Sequence, residues 1–183
     1  EEWQELYQRL VYWELELENL EDEGLKEILA TQKMEANELF GRFISRNYED
    51  WFAGDDDAPL LSHQVFNAKL GPSLRNGEKV FFVVIDNLRW DQWKIIRPAL
   101  SDYFDIDHEE TYCSILPTAT HYARNSLFAG LLPLDIQKQY PNLWVGEEDE
   151  DGKNLFEEDL LKHQLTRLGL ANVRMSYNKI TNN

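Results

Sequence analysis

Two threonines stand two residues apart in LPTATHYARNSLFAGLLP, residues 116–133, just ahead of an apolar pattern of helical spacing. Thr118 and Thr120 each carry the short hydroxyl that caps a helix by accepting a backbone N–H. The same position suits a different chemistry. A helix N-terminus presents unbonded N–H groups and positive dipole, where a phosphate rests. A threonine hydroxyl beside a metal ion can lose its proton and attack phosphorus. The residues alone leave cap and nucleophile both open. Asp86 is the second candidate. It closes the most apolar run of the chain, residues 79–85. A carboxylate there is poorly hydrated unless a charge offsets the loss, and a divalent cation would do so. Capping of the next helix is the alternative. Arg124 falls one helical turn past Thr120 on nearly the same face. It and Arg89 can each hold a phosphate oxygen or form a surface ion pair. Asn125 can orient a phosphate or face solvent. Trp90 and Trp93 read as core residues, and Cys113 as an inert buried thiol.

These residues need elements to hold them. Trp3, Leu6, Leu10, Trp13, Leu17 and Leu20 alternate spacings of three and four, a helical seam. Glu21, Asp22, Glu23 and Gly24 break it. A second helical pattern runs from Leu25 to Phe43 and ends near Trp51 and Phe52. Asp55, Asp56 and Asp57 before Pro59 read as a loop. The first 55 or so residues predict a helical hairpin or part of a bundle, with a short third helix within residues 60–70. Its acidic outer faces suit solvent or a dimer or partner surface. Residues 79–85 read as a strand buried on both sides, as in a parallel sheet. A helix through Trp93, Ile96 and Leu100 follows, then one or more strands within residues 104–115, then the helix after Thr120. Another helix is expected near residues 155–168 and a strand near residues 171–175. Strand, helix, strand, helix is the order of a βαβ unit. Parallel neighbours would bring Asp86 and Thr120 to one sheet edge, where such folds place their sites.

The totals narrow the classes. The chain has 183 residues, 43% hydrophobic and 13% aromatic, which is globular material. A net charge of −16 argues against a nucleic-acid surface held by bulk electrostatics. Residues 1–57 hold 17 acidic against 5 basic side chains, a net of −12. One cysteine excludes an internal disulfide and fits the cytoplasm. No apolar run approaches the roughly 20 residues of a membrane span. The chain starts at Glu1 and ends on Ile180, Thr181, Asn182 and Asn183, and is expected to be an excised piece of a longer protein.

The segments VFFVVIDNLRWDQW and LPTATHYARNSLFAGLLP together resemble the start of a PglZ domain, a branch of the alkaline-phosphatase superfamily. The likeness covers about residues 78–183. In that superfamily a first strand ends in a metal-binding Asp, and a later Pro-Thr/Ser-x-Thr segment supplies the nucleophile. The resemblance implies Asp86 as metal ligand, Thr120 as nucleophile and ligand, Arg124 and Asn125 at the substrate, and residues 130–133 as the turn after the helix. It also implies two zinc ions and a phosphoester substrate. The combination is similar to PorX-type response regulators, in which a receiver domain and a helical bundle precede the PglZ domain. Residues 1–70 resemble that bundle, residues 71–183 the first part of the PglZ domain, and no receiver is present. The implied fold is α/β: a helical bundle, then the first part of an alkaline-phosphatase-like mixed or parallel sheet. The implied function is a phosphatase or phosphodiesterase output domain in two-component signalling, addressed by a sensor kinase through the absent receiver. The rival is a non-catalytic module that binds a protein partner such as a sigma factor. The superfamily also needs an Asp-x-x-x-His, an Asp-His pair and a last His. Asp159 and His163 have the first spacing but sit in an amphipathic helical pattern, so His163 reads as a surface residue. The metal site is expected to be incomplete in this chain, and the chain alone inactive.

Overall fold

The computed structural model describes residues 2–18, 20, 22–54, 56–146, 152 and 154–180. Glu21, Asp55, Thr181, Asn182 and Asn183, which figure in the expected breaks and chain end, lie outside the described residues. The helices are α1 (Glu2–Glu18), α2 (Glu23–Asn47), a 3-10 turn (Asp50–Phe52), α3 (Val65–Lys69), α4 (Gly71–Arg75), α5 (Trp90–Ser101), α6 (Thr120–Ala129), α7 (Pro133–Gln139), a second 3-10 turn (Pro141–Leu143) and α8 (Glu157–Arg167). Two compact units result. One joins Glu1–Ala58 with Val83–Thr111, the other Pro59–Phe82 with Tyr112–Asn183.

In the first unit α1 packs on both α2 and α5. Asp22 caps α2 by accepting from the Leu25 N–H at 3.0 Å. Trp3 meets Phe40 and Phe43 at ring separations of 5.4 and 5.7 Å, and Phe43 meets Trp51 at 6.0 Å. The seam is rotated from the expected one. Val11 is the buried residue of α1; Trp3, Leu10 and Leu17 are half-buried, and Leu6, Trp13 and Leu20 are exposed. A helix with two neighbours turns inward the line that faces both. Here that line is Gln4, Gln8, Val11 and Leu15, and not the most apolar one. Glu109 ties the extended chain after α5 back to that helix. It accepts from Trp93 Nε1 and Lys94 Nζ, both at 2.6 Å.

In the second unit α6 and α8 are the principal pair. Their interface buries Leu127, Phe128, Ala129, Leu160, Leu161 and Leu165. Phe66, Phe82, Phe128 and Tyr177 continue it as edge-on rings 5.4–6.3 Å apart. Gly130 ends α6 in the left-handed conformation, φ +62°, and its N–H donates to the Ser126 carbonyl at 2.8 Å. A Cβ there would stand 2.3 Å from Gln164 Nε2, and Gln164 is itself 2% exposed. Gly130→Ala therefore meets backbone strain and a side chain with little room to withdraw. It should cost about 1–3 kcal/mol, read as a lower urea midpoint at unchanged m-value.

The expected α/β sheet is not formed. Among the described residues the sole ladder contact is one parallel bridge, Leu61 to Cys113, supported by the Cys113 N–H donating to the Leu60 carbonyl at 2.9 Å. Residues 79–85 are extended but pair with no neighbour, and their faces alternate. Val80, Phe82 and Val84 are half-buried, while Phe81, Val83 and Ile85 are 93%, 75% and 58% exposed. Residues 104–115 likewise build nothing beyond the Cys113 bridge, and in place of the expected strand near residues 171–175 the chain turns at Ala171–Val173, where the Val173 N–H donates to the Leu170 carbonyl at 3.0 Å. The physical reason is that strand pairing is non-local. An apolar run records what gains by burial; a ladder also needs a partner edge at the right register. The helices needed no such partner for their own hydrogen bonds, and those expected after residues 87, 120 and 155 all form.

Candidate active site

Thr120 opens α6, but it does not cap it. The residue at the cap is Ala119, which makes no side-chain cap hydrogen bond. Thr120 is half-buried, while Thr118 is exposed and lies outside the helix. Both cap readings of these threonines are thereby corrected: the chain turns into the helix at Ala119, whose side chain has no oxygen to offer. The positive end of the helix dipole lies at Thr120.

Arg124 follows one turn later. Its side chain is 16% exposed and pairs with Glu157, which is fully buried. Nη2 donates to Glu157 Oε2 at 3.1 Å, and Nε lies in ion-pair contact with Oε1. Tyr177 O–H donates to the same Oε2 at 2.6 Å. Asn125 is 2% exposed and His121 9% exposed, both on the inner side of α6. The His121 and Tyr122 rings lie 4.0 Å apart, tilted by 41°, and Tyr122 meets Trp144 at 5.8 Å. His163 is exposed on α8 and stacks on Tyr140 at 4.3 Å. Glu157 is the residue that sequence reading missed. It heads a run with Glu158 and Asp159 at the start of α8, and such a run reads as a solvated first turn. Only the packing of α8 on α6 singles out its first member.

Burial and the hydrogen bond to Glu157 push the Tyr177 phenol up to about 12. Its proton is held more tightly in the folded chain than in the unfolded one, where the phenol titrates at 10.0. The stabilisation is complete below pH 10 and is lost as the pH rises toward 12. Tyr177→Phe lacks this titration, so its urea midpoint should fall less steeply than the wild-type midpoint across that window.

Asp86 is exposed and belongs to the first unit, whereas Thr120, Arg124 and Asn125 belong to the second. With no sheet, the expected shared sheet edge does not exist to join them. Among the described residues no three His, Cys, Asp or Glu side chains gather as a metal site. Zinc takes four donors, so the one carboxylate of Asp86 and the one hydroxyl of Thr120 do not fit it. Cys113 is half-buried and burial raises its pKa, as suits an unreactive thiol. Among the described residues no helix is long and apolar enough to cross a membrane.

Residues 1–52 match the family model of the PorX response regulator linker domain. Residues 65–182 match that of the BREX system PglZ alkaline phosphatase-like domain. A comparison with curated proteins found no match. The second match spans more than half of the chain and contains α6 with Thr120, so the protein belongs to the PglZ family of alkaline phosphatase-like domains.

Proposed function

We propose that the chain is part of a cytoplasmic response regulator whose output domain cleaves a phosphoester, with Thr120 as the attacking group. The hydroxyl oxygen forms a bond to phosphorus, the ester oxygen leaves with a proton, and water then releases phosphate from the threonine. The observation that carries this reading is the place of Thr120: first residue of α6, directly after the cap residue Ala119, in a PglZ-family chain. Developing negative charge on the phosphoryl oxygens would meet backbone N–H groups and the dipole of α6. Asn125 is buried and Arg124 is held by Glu157, so the reading rests on Thr120 and gives these two no substrate contact. Family membership fits metal-dependent chemistry, with Asp86 as one ligand; zinc would need donors that the described residues do not gather. The test is the full-length protein with zinc on monoester and diester substrates, quenched during turnover. Phosphate recovered on the peptide that carries Thr120 supports the reading; turnover with no such adduct and no dependence on Thr120 removes it.

A second reading draws on α1. Leu6 and Trp13, seven residues apart on α1, are both exposed, as is Leu20 beyond the end of the helix. Such apolar exposure suits a helical protein partner or a second copy, with the phosphoesterase site vestigial. On that reading full-length protein lacking phosphoesterase activity would still bind its partner, a sigma factor for instance, and Leu6→Lys would abolish the binding.

A further inference from the structure

Glu157 is a charge in an expensive place. A carboxylate with no solvent exposure is tolerated only when paired and hydrogen-bonded, and it is often replaceable by apolar residues without loss of stability. Here Oε2 accepts from Arg124 Nη2 and the Tyr177 hydroxyl, while Oε1 is in ion-pair contact with Arg124 Nε without a hydrogen bond. The position of the clasp is specific. Arg124 meets Glu157 at the start of α8, Gly130 approaches Gln164, and the Ala129 carbonyl accepts from Arg167. The contacts advance together along both helices, so α6 and α8 run in the same direction and their N-termini lie at one end. The ion pair lies at that end, one turn from Thr120. The other contacts lie at the far end of α6. The cap residue Ala119 makes no side-chain bond to the start of α6, and the ion pair ties the helix to α8 one turn from Thr120.

We propose that Glu157 is a positioning residue: through Arg124 it fixes the rotation of α6 and so the direction of the Thr120 hydroxyl. The inference rests on the reading of Thr120 as the nucleophile. It concerns alignment and not binding, so it predicts a particular kinetic signature. In the full-length protein the apolar pair Arg124→Met/Glu157→Leu removes both charges together and leaves neither stranded, so the thermal midpoint should hold. Turnover number should nonetheless fall at least about tenfold, with KM within about threefold of wild type, since loss of an interaction that acts on attack geometry appears in kcat. A clasp that serves stability alone would leave kcat intact in this variant, and that result overturns the proposal. A loss confined to KM overturns it too, because Arg124 would then be touching substrate. If the double variant does not fold, Glu157→Asp keeps the charge and shortens the reach by one methylene. It should lower kcat severalfold at constant KM, and an unchanged kcat overturns the proposal equally. The parallel Thr120→Val assay separates the two ideas. If that variant is dead and the apolar pair is fully active, only the role of Glu157 falls. If Thr120→Val turns over normally, the nucleophile reading falls and the alignment argument with it.

Discussion

Arg124→Met should destabilise the chain by about 3–5 kcal/mol, the cost of leaving a buried carboxylate without its partner. Glu157 has no solvent exposure, and after the substitution only the Tyr177 hydroxyl would remain of the contacts described for it. Methionine fills much of the space, so the loss is chiefly electrostatic and not a cavity. The size is large against the roughly 5–15 kcal/mol that holds a typical domain. Urea unfolding at neutral pH measures it. Adding Glu157→Leu should recover most of the stability, and the difference between single and double variants measures the stranding itself. A single variant as stable as wild type would mean that water or another group reaches Glu157 and that the ion pair is not a closed one.

Thr120→Val should reduce turnover of the full-length protein at least about 1,000-fold, or about 4 kcal/mol of barrier. Valine keeps the β-branched shape and removes only the oxygen that forms the new bond. Because Ala119 occupies the cap, the hydroxyl makes no capping contribution to lose. The stability change should therefore stay within about 0.5 kcal/mol, the range of ordinary substitutions away from special features. A lost cap would have cost about 1 kcal/mol, so the thermal midpoint separates the two roles of the residue independently of any assay. Thr118→Val is the control. Thr118 is exposed and outside the helix, and its variant should retain most of the activity. Wild-type turnover in Thr120→Val at normal stability would end the assignment.

What could be read in the sequence were features that depend on neighbours a few residues away. The helix after Thr120, the helix through Trp93 and Leu100, and the one near residue 160 all carry their pattern within one or two turns. Gly130 after the last apolar position of α6 marked its end for the same local reason. Features set by distant parts of the chain could not be read. The run at residues 79–85 has the composition of a central strand, yet whether it pairs depends on an edge supplied from elsewhere. The inward face of α1 moved to Val11 because α5, some 80 residues further on, shares the packing. The short α7 was missed because Leu132 and Pro133 read as a turn, although Pro at the first helical position is a common start. Glu157 was hidden in a run of three acids, and nothing local separates a buried first member from its two solvated neighbours.

The unpaired run VFFVVI, residues 80–85, also governs how the isolated chain will behave in a tube. It has high β-propensity, no charge, no proline and no glycine, which is the composition of segments that stack into cross-β assemblies. Three of its side chains face solvent, so its outer edge is accessible without unfolding. Lys79 and Asp86 flank it and act as gatekeepers, and a net charge of −16 keeps molecules apart at neutral pH. That repulsion fades near the sequence pI of about 4.6 and in high salt. Mildly acidic or salty buffers are therefore the conditions in which the chain should turn cloudy first. A charge placed on the exposed side of the run, as in Val83→Lys, is the change that should keep it clear.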